Sequence, residues 1–203
     1  MSRSAPPAAE PIALRPLSRE HLPALKTLNA VVFPLKLHDQ VYRDALACGP
    51  VSQLAFEGDT LVGAIACRLE ALPQGGARLY IASLAVLAPY RGCGLGSRLL
   101  AASLAECADD GAIREAVLHV HAANEEAREF YERRGFAVRR ALPRPAGRPA
   151  APGRARRAVA ACAARLTPCW RWRRQVREVI RGYYKRLEPP DAVLLARQLH
   201  PAE

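Results

Sequence analysis

The chain has 203 residues, room for one domain of about 150 residues and an additional segment. Half the residues are apolar, enough for a packed core, but no apolar run approaches the ~20 residues that a helical membrane span needs. The formal net charge of +11 is local: Arg139 to Arg181 holds 13 arginines against one acid, Glu178, which leaves 17 of the 30 basic and 18 of the 19 acidic residues to the remainder.

Met1 to Pro11, rich in proline and alanine, reads as a disordered leader, and Ile12 to Leu17 as a short strand. Ser18 is placed to cap a helix to about Val32, with Leu22, Leu25, Leu28 and Val32 at helical spacing. Phe33-Pro34 ends it, because the residue before a proline is pushed out of the α region. Asp39 is placed to cap a second helix through Ala47. Val51 to Glu57 and Thr60 to Leu69 read as a hairpin turning at Gly58-Asp59. After the loop Pro73-Gln74-Gly75-Gly76, Ala77 to Val86 reads as a central strand. A helix from about Gly94 to Ala108 breaks near Asp110-Gly111, and Ala116 to Val120 is a buried strand. Asn124 caps a helix that Gly135 ends. Phe136 to Arg140 and Asp191 to Leu199 are the last strands. The order predicts an α/β (α+β) fold, a mixed twisted sheet of about seven strands flanked by four helices.

Between Arg140 and Tyr183 the composition changes abruptly. Ala141 to Pro168 is almost only alanine, arginine, proline and glycine, which cannot supply a packed core. The expected organisation is a leader at 1–11, one domain built from 12–140 and 178–203, and a low-complexity arginine-rich insertion at 141–177. The six cysteines form no CxxC pair and no zinc spacing with the five histidines, so no metal is expected and the thiols read as reduced. Met1 to Pro11 lacks the apolar core of a secretory signal. The expected location is the cytoplasm, with the nucleus second.

The most informative stretch is Arg91-Gly92-Cys93-Gly94-Leu95-Gly96-Ser97, between the apolar run Leu79 to Leu87 and an alanine- and leucine-rich helix. Alternate glycines let several backbone N–H groups point into one concavity at a helix N-terminus, a geometry that holds a pyrophosphate. Glycines also make ordinary turns, so a plain strand–turn–helix is the competing reading. Tyr80 lies on the central strand and His119 ends the strand before the next helix. The two meet in one cleft if they face the same side; otherwise Tyr80 is sheet packing and His119 a hydrogen-bonded core histidine.

These elements, in this order, resemble the GNAT superfamily of N-acetyltransferases, whose acetyl-CoA motif Q/R-x-x-G-x-G/A is matched by Arg91, Gly94 and Gly96. The finer resemblance is to the San-type N-terminal acetyltransferases, the catalytic subunits of NatE. It rests on Asn29-Ala30-Val31-Val32-Phe33-Pro34, Arg78-Leu79-Tyr80-Ile81, Leu87-Ala88-Pro89-Tyr90-Arg91, Leu118-His119-Val120, Asn124-Glu125, Phe130-Tyr131, Gly135-Phe136 and Tyr183-Tyr184-Lys185-Arg186. It covers about Ile12 to Arg140 and Tyr183 to Leu199.

The resemblance implies acetyl transfer from acetyl-CoA to the α-amino group of methionine-starting polypeptides, with Tyr80 and His119 as a catalytic pair working through ordered water. It implies that Leu84, Ala85 and Val86 pair with the pantetheine amides as an added strand would, and that Arg91, Gly92, Cys93, Gly94, Leu95, Gly96 and Ser97 cradle the pyrophosphate. Asn124 and Tyr131 match cofactor positions on the opposite side, Tyr131 as a donor to the leaving sulfur. Phe33, Pro34 and Leu35 match one loop of the peptide groove, and Tyr183, Tyr184, Lys185 and Arg186 the loop across from it. Three positions depart from the pattern: Gly92 replaces a second arginine, Leu37 a tyrosine that contacts the peptide, and Ala82 a methionine. The last two enlarge or depolarise the slot, and weaker discrimination among methionine-starting peptides is expected. The implied partners are nascent or mature protein N-termini, and the NatA complex on ribosomes.

Two other functions fit the same residues. One is lysine acetylation on this scaffold, although a lysine amine, with a pKa of about 10.4, asks for a stronger base. The other is a catalytically weak module that binds coenzyme A, the ribosome or nucleic acid. Nucleic acid would be met only through the insertion, where clustered arginines accompany Trp170 and Trp172. The insertion itself reads as a solvated loop, as a tether for an acidic partner, or as translated noncoding sequence.

Overall fold

The computed structural model describes residues 11–138 and 192–200. Residues 1–10 of the expected leader at 1–11, the insertion at 141–177 and Tyr183 to Arg186 lie outside the described residues. Seven strands form one sheet: β1 (Ala13–Pro16), β2 (Gln53–Glu57), β3 (Thr60–Ala71), β4 (Ala77–Val86), β5 (Ile113–His121), β6 (Ala137–Val138) and β7 (Ala192–Gln198). Their order is β1-β2-β3-β4-β5-β7-β6. The α-helices among the described residues are α1 (Leu22–Val32), α2 (Asp39–Ala47), α3 (Leu95–Ala108) and α4 (Glu125–Glu132). The expected order of strands and helices is met along the whole described chain.

Only β4 and β5 run parallel, because the chain crosses over through α3 between them; the other neighbours are antiparallel. Alternation along the strands divides the core in two. On one face Ile65, Leu79, Ile81, Leu118 and Val120 pack with Leu95, Leu99 and Leu100 of α3 and Tyr131 of α4. On the other, Leu54, Ala64, Ala66 and Ala85 pack under Leu25 and Leu28 of α1 and Tyr42 and Ala45 of α2. Small side chains at Ala64, Ala66 and Ala85 let α1 and α2 sit close to the sheet. Each fully buried leucine contributes about 1.5–3 kcal/mol, and Leu25, Leu54 and Leu99 are all completely covered.

Two irregularities shape the centre. The β3–β4 register shifts between Ala66↔Ser83 and Cys67↔Ile81, so Ala82 is an extra residue, a β-bulge. Ile81 still faces the α3 side, whereas Ala82 packs beside Tyr80. The β4–β5 ladder, moreover, runs only from Ala77↔Ile113 to Tyr80↔Val117, although β4 continues to Val86 and β5 to His121. Beyond Tyr80 the two parallel strands splay, and the edge of β4 from Ile81 to Val86 is left without a strand on its β5 side.

Several helix starts differ from expectation. Ser18 opens a 3-10 turn, Arg19–His21, and its hydroxyl bonds the His21 ring at 2.7 Å instead of capping a backbone N–H. Pro23 stands at the second position of α1, where its missing N–H costs nothing. His38, not Asp39, caps α2: its Nδ1 accepts from the Gln40 N–H at 3.2 Å, while Asp39 is drawn to Lys26 at 2.8 Å. That ammonium, by hydrogen bond and charge, holds the Asp39 carboxyl below its usual range. β5 also begins three residues earlier than Ala116, because Ile113 pairs with Ala77 while Arg114 is skipped by the register.

Candidate active site

The splay point brings Tyr80 and His119 together. Leu79 and Ile81 belong to the α3-side core, so Tyr80 between them faces the other way; Leu118 and Val120 do the same for His119. The Tyr80 hydroxyl and His119 Nδ1 are 3.0 Å apart, with ring centroids at 5.7 Å. The two side chains share one face at the end of the β4–β5 ladder. Val117 and Leu194 close the apolar side of the pair, with Ala82 and Ala196 packed against them.

A charged cluster on the same face was not anticipated from the sequence. Arg68 lies opposite Tyr80 in the β3–β4 register, and its guanidinium sits 4.1 Å from the Tyr80 ring centroid. It is held there by Glu70, which accepts from Arg68 Nε at 3.0 Å and Nη2 at 2.7 Å. Glu70 also accepts from Arg78 at 2.9 Å, and Arg78 reaches the buried Glu115 at 3.9 Å. Burial pulls the Arg68 pKa down, but the charge and hydrogen bonds of Glu70 outweigh it, so the net shift is upward and the cation is fixed over the ring. The signal lay in the hairpin: counting back from its loop pairs Glu70 with Arg78 and Arg68 with Tyr80.

The glycine loop lies on the other side of the splay. A 3-10 turn, Ala88–Tyr90, leads into it, and the Tyr90 hydroxyl donates to Glu57. Gly92 at φ +77° and Gly94 at φ +82° adopt the left-handed conformation in the turn before α3 begins. Gly94 is the N-cap of α3 and offers no side chain to cap it. The first-turn N–H groups of Leu95, Gly96 and Ser97 have no carbonyl partner within the helix, and the positive end of the α3 dipole faces the same space. This concavity is suited to an anion. Arg91 turns back, donating from Nε to the Val86 carbonyl at 3.0 Å. Cys93 is exposed there, its thiol on the Tyr90 carbonyl at 2.9 Å.

Helix α4 flanks the loop. Asn124 caps it as expected, accepting the Ala127 N–H at 3.0 Å, which commits its oxygen and leaves Nδ2 for other contacts. Phe130 lies against Gly96, where an added Cβ would meet its ring at 3.5 Å. Tyr131 is buried, edge-on to Phe130 and Phe136 at 5.0 and 5.4 Å. Burial first, with the nearby Cys67 second and Arg134 opposing, raises its pKa far above the usual phenol range, so it stays protonated. Cys67 itself is pushed up to about 12 by burial, against the lowering hydrogen bond of Ser103.

The peptide side is placed in part. Phe33 closes α1, its N–H on the Asn29 carbonyl at 2.9 Å. Phe33 and Leu37 pack on the α1/α2 core, Pro34 is exposed, and Leu35 is half-buried. Lys36, Leu37, His38 and Asp39 line a depression beside them. Tyr183 to Arg186, expected to complete the groove, lie outside the described residues. Among the described residues no group of three or more His, Cys, Asp or Glu side chains is gathered for a metal, and no helix is long and apolar enough to cross a membrane.

A model of the "Acetyltransferase (GNAT) family" matches residues 19–136, a stretch that holds all four helices, both strands of the splay, Tyr80 and His119. The chain belongs to the GNAT acetyltransferase family. This GNAT protein is therefore an acyltransferase, and its relatives narrow the kind. It is 32% identical to "N-alpha-acetyltransferase 50" of Danio rerio, over 93% of this chain and 89% of that one. It is 36% identical to "Probable N-acetyltransferase san" of Drosophila melanogaster, over 63% of this chain and 68% of that one. Among solved structures it is similar to Arabidopsis thaliana Naa50 in complex with the bisubstrate analogue CoA-Ac-MVNAL, at 34% identity and a TM-score of 0.68, covering 92% of this chain and 97% of that one.

Proposed function

We propose that this GNAT enzyme transfers acetyl from acetyl-CoA to the α-amino group of polypeptides that begin with methionine, with Tyr80 and His119 as its catalytic pair. The observation that carries the reading is the 3.0 Å contact between the two where the β4–β5 ladder opens. The Arabidopsis relative is complexed with an analogue that joins CoA to a peptide beginning with methionine, which supports the substrate class.

The residues present fit the cofactor. The open β4 edge at Leu84, Ala85 and Val86 offers backbone groups to the pantetheine amides, as strand addition does. The Gly92–Ser97 concavity receives the pyrophosphate, with the Asn124 amide beside it. Leu84 and Val86 lean toward the α3-side core and Tyr80 and His119 toward the other, so thioester and amine meet through the splay from opposite faces.

An α-amino group, with a pKa of about 8, is largely protonated at neutral pH and must lose a proton before it attacks a thioester. His119, oriented through Nδ1 by the Tyr80 hydroxyl, draws that proton away through an ordered water. The Arg68 guanidinium, stacked on the Tyr80 ring, helps to hold the hydroxyl against His119. Tyr131, kept protonated by burial, donates a hydrogen bond to the departing sulfur. Phe33, Pro34, Leu35 and Leu37, with Ala82 on β4, line the slot for the first residues of the peptide, and the resemblance adds Tyr183, Tyr184, Lys185 and Arg186 as further peptide contacts. Ala82 leaves that slot wide, so discrimination among the residues that follow methionine is weak. Protein N-termini, nascent ones on ribosomes beside the NatA complex included, are the proposed partners, in cytoplasm and nucleus.

The test is acetyl transfer to a Met-Leu peptide. Wild-type protein turns over, and Tyr80→Phe and His119→Ala each reduce kcat by about 100-fold while CoA still binds. Turnover undiminished in both variants rejects the assignment of the pair.

A further inference from the structure

We propose that Arg134 is a positioning residue for the pyrophosphate end of acetyl-CoA, acting through the Ser97 hydroxyl; this rests on the acetyl-CoA reading above. Arg134 follows the last turn of α4, and Ser97 is the third residue of α3. The guanidinium sends two donors to one oxygen: Nε reaches Ser97 Oγ at 3.1 Å, and Nη2 donates to the same atom. Nη1 donates to the Phe130 carbonyl, and the guanidinium carbon lies 3.6 Å from the Phe130 ring centroid. The Arg134 carbonyl in turn accepts from Arg197 Nη1 of β7 at 2.9 Å. Arg134 is thus fixed from three directions.

Two consequences follow for an anion at the α3 N-terminus. A serine hydroxyl has two acceptor lone pairs and one donor hydrogen. With both lone pairs taken by Arg134, the Ser97 O–H is left to donate, alongside the first-turn N–H groups of α3. The charge matters as well. The neighbouring Arg133 is paired with Glu129 at 2.6 Å, whereas Arg134 makes no ion pair among the described residues. Its donors end on a hydroxyl and a carbonyl, so its positive charge remains to be neutralised beside the cradle. Gly92, which stands where the resemblance leads one to expect an arginine, brings no charge. Arg134 restores one from the α4 side.

Calorimetric titration with CoA, paired with turnover of acetyl-CoA and of S-acetyl-pantetheine, which lacks the pyrophosphate, tests this. Arg134→Met weakens CoA binding by about tenfold, as loss of charge-assisted hydrogen bonds does, and leaves kcat/KM for acetyl-pantetheine unchanged. Adding Ser97→Ala to Arg134→Met costs little more, because the hydroxyl acts only as Arg134 orients it. If Arg134→Met does not fold, Arg134→Lys keeps the charge but loses the two-pronged contact, and is expected to weaken CoA while sparing acetyl-pantetheine. Unchanged CoA affinity in the variant, or equal losses with both thioesters, overturns the proposal and leaves the acetyltransferase reading standing. Wild-type protein that does not bind CoA overturns both.

Discussion

Tyr80 is held between two partners of different kinds, the His119 ring at its hydroxyl and the Arg68 guanidinium over its face. Glu70 pairs with the cation edge-on and is itself shared with Arg78, which reaches Glu115, while Asp44 lies near enough to be felt by Arg68. A fixed positive charge disfavours an imidazolium and favours a phenolate, so it lowers the pH at which either group works as a base. Removing it has the opposite sign. Arg68→Met is expected to move the acidic limb of the kcat/KM profile, where the base loses its proton, up by about one pH unit, and a profile lying on that of the wild type would show the cation to be packing only. Tyr80 and His119 were legible from the sequence because each sits within a recognisable run. Arg68 was not, since its role depends on a cross-strand register that single-strand patterns do not reveal.

At the scale of elements, two of the three glycines at the β4–α3 junction meet different constraints. Gly94 has φ +82° and nothing within 4 Å of an added Cβ, so backbone conformation alone demands it. Gly96 has ordinary φ, and its Cβ would only touch Phe130 at van der Waals distance. Thermal denaturation is therefore expected to find Gly94→Ala less stable by about 1–2 kcal/mol and Gly96→Ala within about 0.5 kcal/mol of wild type. Equal losses at both sites would contradict this division. Most of the elements could be read from apolar spacing and from Gly and Pro, as β4 from Ala77 to Val86 shows. Helix starts were less legible: Ser18 and Asp39 have capping chemistry, but His21 and Lys26 claim their side chains first. The bulge at Ala82 and the splay past Tyr80 were invisible to alternation, yet they expose the β4 edge and put Ala82 beside Tyr80.

At the scale of the whole molecule, the described residues already bring together the splay, the glycine loop and the proposed pair Tyr80 and His119, with α1 and α2 covering one face and α3 and α4 the other. The segment 141–177 is set apart by composition, so the domain is proposed to comprise 12–140 and 178–203. Deleting 141–177 is expected to preserve or raise acetyl transfer to a Met-Leu peptide; loss of soluble protein would show the segment to be part of the fold. Specificity for the α-amine is the central claim, because lysine acetylation needs the same cofactor pocket. The most direct measurement is site-resolved mass spectrometry of one peptide, Met-Leu at its N-terminus with an internal lysine, incubated with the enzyme and acetyl-CoA. Acetylation of the α-amino group, lost in Tyr80→Phe and His119→Ala, with the lysine unmodified, is the predicted result. Acetyl on the lysine with the N-terminus free would contradict it.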